Sequence, residues 1–304
     1  MVQMWDSLFS ELNPEIGEAL RRGDAETAFQ QMHMELKTVW RNIWSVLCDG
    51  GIVCIIVGDA LRKTGKNFSL FPNHAVISST MRSIGFTQLP GIIWRKQTNK
   101  PNKFMGSGMY PAGAYATLEH EHILVFRKNG LRKFVSESLR KKSALFYEER
   151  NRFYSDIWYD VKGERQELYP RGKAASFPFS IASRLVRMFS IYEDVVLDPF
   201  SGTGTTAMAA ATWCRNSISI EIDAFLHRHA ISRFASKSAL ITMREEAQRR
   251  IREHVEYCNG RNLKFTNRHY GFQVTTNQER EIIVPVITEV SSMNSSTFQA
   301  RYEE

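Results

Sequence analysis

The stretch Val195-Val196-Leu197-Asp198-Pro199-Phe200-Ser201-Gly202-Thr203-Gly204-Thr205-Thr206 holds the residue types and spacing in this chain best suited to chemistry. An apolar, β-branched run feeds a Gly-x-Gly turn, and small residues from Ala207 to Ala211 follow it. Gly202 and Gly204 carry no Cβ, so a ligand can come close to their backbone at the carboxyl end of a strand, where open α/β sheets bind ligands. Asp198 fixes a negative charge beside that turn. The next run, Ser217-Ile218-Ser219-Ile220, ends on Glu221, with Asp223 two residues on. A carboxylate there can accept hydrogen bonds from both hydroxyls of a ribose.

The details discriminate among nucleotides. The turn lacks the third glycine of GxGxxG, and Gly204 is followed by Thr205 and Thr206 rather than by the lysine of a phosphate-gripping loop. A pyrophosphate therefore fits poorly. An adenosine without phosphates, bearing a charged amino-acid end, suits Asp198 and the bare turn better. Glycine turns after strands are common and often purely structural, but here the strand, Asp-Pro-Phe, both glycines and the trailing glutamate occur together.

Other clusters are less specific. Arg95, Lys96, Lys100 and Lys103, with Phe104 and Met105, could grip phosphates and wedge apolar groups beside a displaced base, or form a solvated loop. Between Lys128 and Arg152 eight basic residues face three acidic ones, the pattern of an inserted, solvent-facing segment that either contacts a polyanion or is merely a hydrated face. His120 and His122 flank Glu121; strand alternation puts both on one face with no third ligand in view, so no metal site is expected. Asp59, at the end of an apolar run, is a candidate for a cleft floor. Trp158 and Tyr159 either cover an adenine or simply pack.

The elements that must position these residues are readable from periodicity. Met32, Leu36, Val39, Trp40, Ile43, Trp44 and Leu47 recur at helical spacing over residues 27 to 47, and Asp49-Gly50-Gly51 stops that helix. Ile52 to Val57 is continuously apolar, as in a strand covered on both faces. A helix is expected over 74 to 84, with strands through Gly91-Ile92-Ile93-Trp94 and His122 to Phe126. Ile181, Leu185, Val186 and Phe189 mark a helix, followed by a strand at 194–197, a helix at 207–211 and a strand at 217–221. Leu240, Met243, Ala247, Ile251 and Val255 lie along a long helix with a charged face, and 272–276 and 281–290 are expected as two terminal strands, the second demoted by Pro285.

The totals set bounds. A chain of 304 residues, 43% of them hydrophobic, is long enough for one large α/β domain. Forty Lys plus Arg against 32 Asp plus Glu leave a formal charge of +8, which favours polyanionic partners. Cys48, Cys54, Cys214 and Cys258 form no CxxC pair, so zinc is not expected and the thiols are expected reduced in the cytoplasm. No apolar run approaches the length of a membrane span.

Asp198-Pro199-Phe200-Ser201-Gly202-Thr203-Gly204-Thr205-Thr206 resembles the cofactor motif of the DNA N4-cytosine and N6-adenine methyltransferases. Phe177-Pro178 resembles the Phe-Pro motif that precedes it, and Gly50-Gly51-Ile52 to Gly58-Asp59 and Gly91-Ile92-Ile93-Trp94-Arg95-Lys96 resemble further family signatures; the likeness spans roughly residues 1 to 235. It implies that Asp198, Pro199, Phe200, Gly202, Gly204 and Thr205 cup S-adenosyl-L-methionine. By the same likeness Glu221, with Asp223, holds the ribose, and Phe177 and Pro178 lie near the methionine end. The cofactor motif falls in the C-terminal half, the permuted order of the family's β group. The family's catalytic tetrapeptide, Asp, Ser or Asn followed by Pro-Pro and an aromatic, is not among these residues, since no two prolines are adjacent. In the family it stands just before a segment like Met1-Val2-Gln3-Met4-Trp5-Asp6-Ser7-Leu8-Phe9, so the chain is expected to begin where the tetrapeptide ends, and no catalytic residue is assigned.

The resemblance implies an S-adenosylmethionine-dependent methyltransferase fold, Rossmann-like, with a seven-stranded, mostly parallel sheet and one antiparallel strand. The expected organisation is a catalytic half over residues 1 to 127, a basic variable segment over 128 to 175, a cofactor half over 176 to 235, and a tail of unassigned role over 236 to 304. Lys96, Lys100, Lys103, Arg140, Lys141 and Lys142 are the expected contacts to double-stranded DNA, and a cognate restriction endonuclease is an expected companion. Two alternatives stand beside a restriction-modification methyltransferase. One is a remnant that binds cofactor or DNA without transferring a methyl group; the other is a nucleotide binder of a different class.

Overall fold

The computed structural model describes residues 4–64, 67–96, 105–106, 110–163, 168–169, 172–173 and 177–303. Lys100, Lys103 and Phe104 lie outside the described residues. The chain divides into two compact units, one built from residues up to 133 with 156–163 and the short strands at 168–169 and 172–173, the other from 134–155 and 177–303.

The first unit is a sheet backed by helices. Helix α1 (Ala25–Val46) begins where the Asp24 side chain accepts a hydrogen bond from the Thr27 amide at 3.0 Å, and it buries Ala28, Phe29, His33, Trp40 and Ile43 along one stripe. Helix α2 (Asn73–Ile84) buries Ile77 and Met81. Trp40, Ile43, Ile77 and Met81 meet Phe86, Leu124 and Phe126 in one core, while Ala28 and Phe29 belong to two smaller clusters. Strands β1 (Ile52–Val57), β2 (Thr87–Arg95), β3 (His120–Arg127) and β4 (Ile157–Trp158) lie in the order β1-β3-β2-β4. β3 runs antiparallel to both of its neighbours, while β2 and β4 are parallel. Its interior position explains the unbroken burial of Ile123, Leu124, Val125 and Phe126. β2 bulges between Leu89 and Ile92, where Pro90 has no amide to donate and Gly91 lets the Ile123 carbonyl come within 2.9 Å of where a Cβ would stand. Trp94 and Trp158 sit side by side in register, both buried, and the Trp94 indole donates to the Val161 carbonyl at 2.9 Å.

The second unit is built on a strand-turn-helix-strand element. β5 (Val195–Asp198) pairs in parallel with β6 (Asn216–Ser219), and α5 (Thr205–Thr212) makes the crossover. Preceding it, α4 (Phe179–Phe189) packs Ala182 and Val186 against Ala209 and Trp213. The helix α3 (Tyr147–Phe153) comes earlier in the same unit. α6 (Ala224–Phe234) and α7 (Lys237–Cys258) follow, and a hairpin of β7 (Val286–Ser292) and β8 (Phe298–Glu303) ends the chain.

Several expectations need correction. β1 is half-buried at every position rather than covered on both faces, and in β5 Val195 and Leu197 are exposed while Val196 packs on the core. Each of these strands has a single paired neighbour among the described residues. The described strands form a four-stranded sheet and separate pairs rather than seven strands in one sheet. Residues 272–276 and 281–290 do not pair with each other. Gln273–Val274 pairs with Phe265–Thr266, a 3-10 turn covers Asn277–Glu281, and β7 starts only after Pro285 and finds its partner downstream.

The basic segment is not simply solvent-facing either. α3 and the residue before it turn Phe146, Glu149 and Phe153 inward, three and four residues apart, and Phe146 and Phe153 are buried. Glu149 is ion-paired with Arg187, whose side chain is 9% exposed, and with the buried Arg250, whose Nη2 lies 2.9 Å from Oε2. Burial alone would raise the Glu149 carboxyl, but Arg187 and then Arg250 bring it down to about 2.

Candidate cofactor site

The turn after β5 is held by its own backbone and by Glu221. The Asp198 side chain accepts from the Phe200 amide at 3.0 Å, the Ser201 amide donates to the Ile220 carbonyl at 3.0 Å, and the Gly204 amide donates to the Ser201 carbonyl at 2.8 Å. Gly202 and Gly204 have φ of +52° and +80°, the left-handed region that other L-residues occupy at a cost. A Cβ on Gly204 would meet the Ala230 methyl at 3.2 Å, whereas one on Gly202 would have nothing within 4 Å among the described residues. Gly204 thus serves backbone geometry and close packing against α6, and Gly202 serves backbone geometry next to open space.

Glu221 ties the turn to the end of the second strand. Its Oε2 accepts from the Gly202 amide at 2.7 Å and its Oε1 from the Asp223 amide at 2.8 Å. An ionised carboxylate has about four lone-pair sites, so two such bonds leave acceptor capacity on the half-buried group. Asp223 has a structural task of its own, since its side chain caps α6 by accepting from the Phe225 amide at 2.8 Å and the Leu226 amide at 3.1 Å.

The remaining expected residues fall around this turn or in the core beside it. Pro199 is half-buried, Phe200 is exposed and Thr205 is buried in the first turn of α5. Pro178 is buried at the start of α4, and Phe177 packs against the core cluster that includes Phe146 and Trp213. Arg233, which periodicity did not single out, reaches from α6 to the Thr203 carbonyl at 3.3 Å and to its hydroxyl at 3.4 Å.

The expected DNA contacts are less uniform. Lys96 is spoken for: its ammonium lies 2.8 Å from Glu121 Oε1 and 5.3 Å from the Trp94 ring centre. Arg140 stacks over Phe134 at 4.5 Å and pairs with Glu137 at 3.3 Å, and with Lys141 and Lys142 it closes the last turn of the helix Glu137–Lys142. Arg140 and Lys141 are exposed. In the first unit Trp158 is buried while Tyr159 is exposed, so Trp158 packs. Burial, and then the stacked His74, hold His122 below the usual imidazole range.

Residues 16–232 match the family model of the N6 and N4 methyltransferases, described as DNA methylase. The chain belongs to this DNA methylase family. The type II methyltransferase M.MthZI of Methanothermobacter thermautotrophicus is 46% identical to it over 311 residues, covering 100% of this chain and 87% of that one. M.MjaI of Methanocaldococcus jannaschii is 47% identical, over 73% of this methylase and 78% of its relative. Among solved structures, a DNA modification methylase of Thermus thermophilus complexed with S-adenosyl-L-methionine superposes with a TM-score of 0.58 at 38% identity, over 70% of this methylase and 78% of the other chain. The methylase has the Rossmann-like fold of the S-adenosylmethionine-dependent methyltransferases, and the smaller strand count does not alter that assignment.

Proposed function

We propose that this DNA methylase transfers the methyl group of S-adenosyl-L-methionine to the exocyclic amine of cytosine (N4) or adenine (N6) in double-stranded DNA, as the modification half of a restriction-modification pair. The observation that carries this is the single acidic side chain, Glu221, that bridges the Gly202 amide and the Asp223 amide at the mouth of the glycine turn. A cation-bearing nucleoside without phosphates fits these residues. Asp198 offers a carboxylate for an amino group, Glu221 keeps lone pairs for a ribose diol, and the space beyond Gly202 is open to backbone approach.

In this proposal Asp198, Pro199, Phe200, Gly202, Gly204, Thr205 and Glu221 hold the cofactor, with Phe177 and Pro178 supporting the methionine end. Asp223 acts by capping α6 and by donating its amide to Glu221. When bound, the cofactor supplies an electrophilic methyl on its sulfonium. The exocyclic amine is a weak nucleophile because its lone pair is delocalised into the ring, so acceptors for its protons and alignment with the methyl carry much of the rate. In the resemblance those acceptors belong to the Pro-Pro tetrapeptide, which these 304 residues do not contain. Arg140, Lys141 and Lys142 are assigned to the DNA backbone, and Lys96 to holding Glu121 beside Trp94.

A restriction endonuclease of the same specificity is the proposed companion, and the cytoplasm the proposed location. Among the described residues no helix is long and apolar enough to cross a membrane. The test is transfer of a labelled methyl group from S-adenosylmethionine to DNA, with the modified base identified after digestion. Label on N4-methylcytosine or N6-methyladenine supports the proposal. Unlabelled DNA, together with tighter binding of a nicotinamide dinucleotide than of S-adenosylhomocysteine, overturns it.

A further inference from the structure

The carboxyl end of β1 carries a second cluster, in the first unit and independent of the cofactor assignment. Asp59 follows Gly58 there. In antiparallel register Val57 stands opposite His122, so the start of β3 delivers an imidazole beside the end of β1. The first turn of α2 adds His74 from a third element. Asn73 fixes that approach by donating to the Gly58 carbonyl at 2.9 Å, and Asp59 Oδ1 accepts from the His74 amide at 3.2 Å. Asp59 Oδ2 then lies 2.7 Å from His74 Nδ1 and 4.0 Å from His122 Nε2. The two imidazoles stack with centres 4.0 Å apart.

We propose that Asp59, His74 and His122 form a binding site for a first-row divalent cation of zinc type. Two imidazoles and one carboxylate are the donor set that such borderline cations select, and three protein ligands leave a position for water. At bond lengths of about 2.0 to 2.2 Å, donor atoms around a tetrahedral ion stand about 3.3 to 3.6 Å apart. The ligand atoms of these three residues all lie within 4.8 Å of one another, and the two distances from Asp59 Oδ2, 2.7 and 4.0 Å, bracket that spacing. The shorter is a His74–Asp59 hydrogen bond and the stacked rings lie 17° from parallel, so ion binding requires His74, the most exposed of the three, to turn. The site is graded toward solvent: the Asp59 side chain is 6% exposed, His122 17% and His74 34%. The carboxylate is therefore preorganised in the interior, and the outer imidazole leaves a path for the ion. His120 and His122 share a strand face, as alternation requires, but only His122 belongs to the cluster, and the fold brings in Asp59 and His74 as the other two ligands.

The measurement uses full-length, tag-free protein stripped of metal, titrated with cobalt(II) and then with zinc(II). One equivalent of cobalt should develop the visible d–d absorption of a low-coordinate complex, and zinc should displace it. His74→Ala and His122→Ala should each weaken zinc affinity by at least about 10-fold, the loss seen even for outer-shell partners of a metal site. Substitution of the exposed His227 on α6 should leave affinity unchanged. Asp59→Asn keeps an oxygen for the His74 amide and removes the anionic ligand, so it reports on the site should a histidine variant fail to fold. No saturable binding by wild-type protein with native circular dichroism, or one-equivalent binding that survives in every folded variant, overturns the proposal.

Discussion

The Glu221 carboxylate accepts the Gly202 amide at 2.7 Å, which fastens the strand ahead of Glu221 to the turn after β5, the two halves of the proposed cofactor site. The link spans 19 residues and joins the segments after two parallel strands, so the turn has its geometry set by the chain itself. Glu221→Ala removes an acceptor from two backbone amides and from the proposed ribose. Loss of a charge-assisted hydrogen bond corresponds to about 1.5 to 3 kcal/mol, or roughly a 10- to 150-fold loss of affinity for S-adenosylhomocysteine by calorimetry.

The two glycines should part company on substitution. Gly204→Ala meets both an unfavourable φ and the Ala230 methyl, so it is expected to lower stability by about 1 to 2 kcal/mol or more in denaturant melts. Gly202→Ala has the strained φ but open space around it, so its stability loss should stay near 1 kcal/mol. Its cofactor affinity should fall more steeply than its stability, because the added methyl stands in the space assigned to the ligand. Equal loss of binding and of stability in both variants would argue that the turn is structural only.

Glu149 should govern acid stability of the second unit. Glu149→Gln leaves Arg187 and Arg250 without their counter-charge, and removal of one member of a buried pair costs about 3 to 5 kcal/mol. The folded carboxyl is held at about 2, below its unfolded value, so its stabilisation is complete above the ordinary carboxylate range. It fades as pH falls from that range through about 2. Urea midpoints measured from pH 7 to pH 2 should therefore drop more for wild type than for the variant.

Replacing Arg140, Lys141 and Lys142 together by alanine should weaken DNA binding with little effect of sequence, and should reduce the slope of log affinity against log salt by about 2 to 3. Filter binding or anisotropy at several salt concentrations reads this directly. Affinity for S-adenosylhomocysteine should not change in the same protein.

What the sequence disclosed, and what it concealed, follows from range. The glycine turn is legible because its constraint is local: positive φ at Gly202 and Gly204 and an Asx turn at Asp198 all arise within seven residues. α1, α4 and α7 show because each buries apolar side chains at helical spacing, such as Ala28 to Ile43 in α1, Ile181 and Leu185 in α4, and Met243 and Ala247 in α7. The stripes are not purely apolar, since α4 also buries Ser183 and Arg184 and α7 also buries Arg250 and His254. α6 buries no residue, so no apolar period announces it, and only the capping Asp223 marks its start. The partnership of Glu149 with Arg250 joins residues 101 apart, and a run of charges read linearly looks hydrated. Likewise His74 meets Asp59 across 15 residues and a turn of chain, so strand alternation alone does not reveal the third ligand beside His122.

Calorimetric titration with S-adenosylhomocysteine, run on wild-type protein and on Glu221→Ala, tests the central claim most directly. A single site on the wild-type protein, weakened at least about 10-fold in a variant that remains folded, is the predicted result. Absence of binding to folded wild-type protein, or equal affinity in the two, would contradict the assignment of the Gly202–Glu221 bridge to the cofactor.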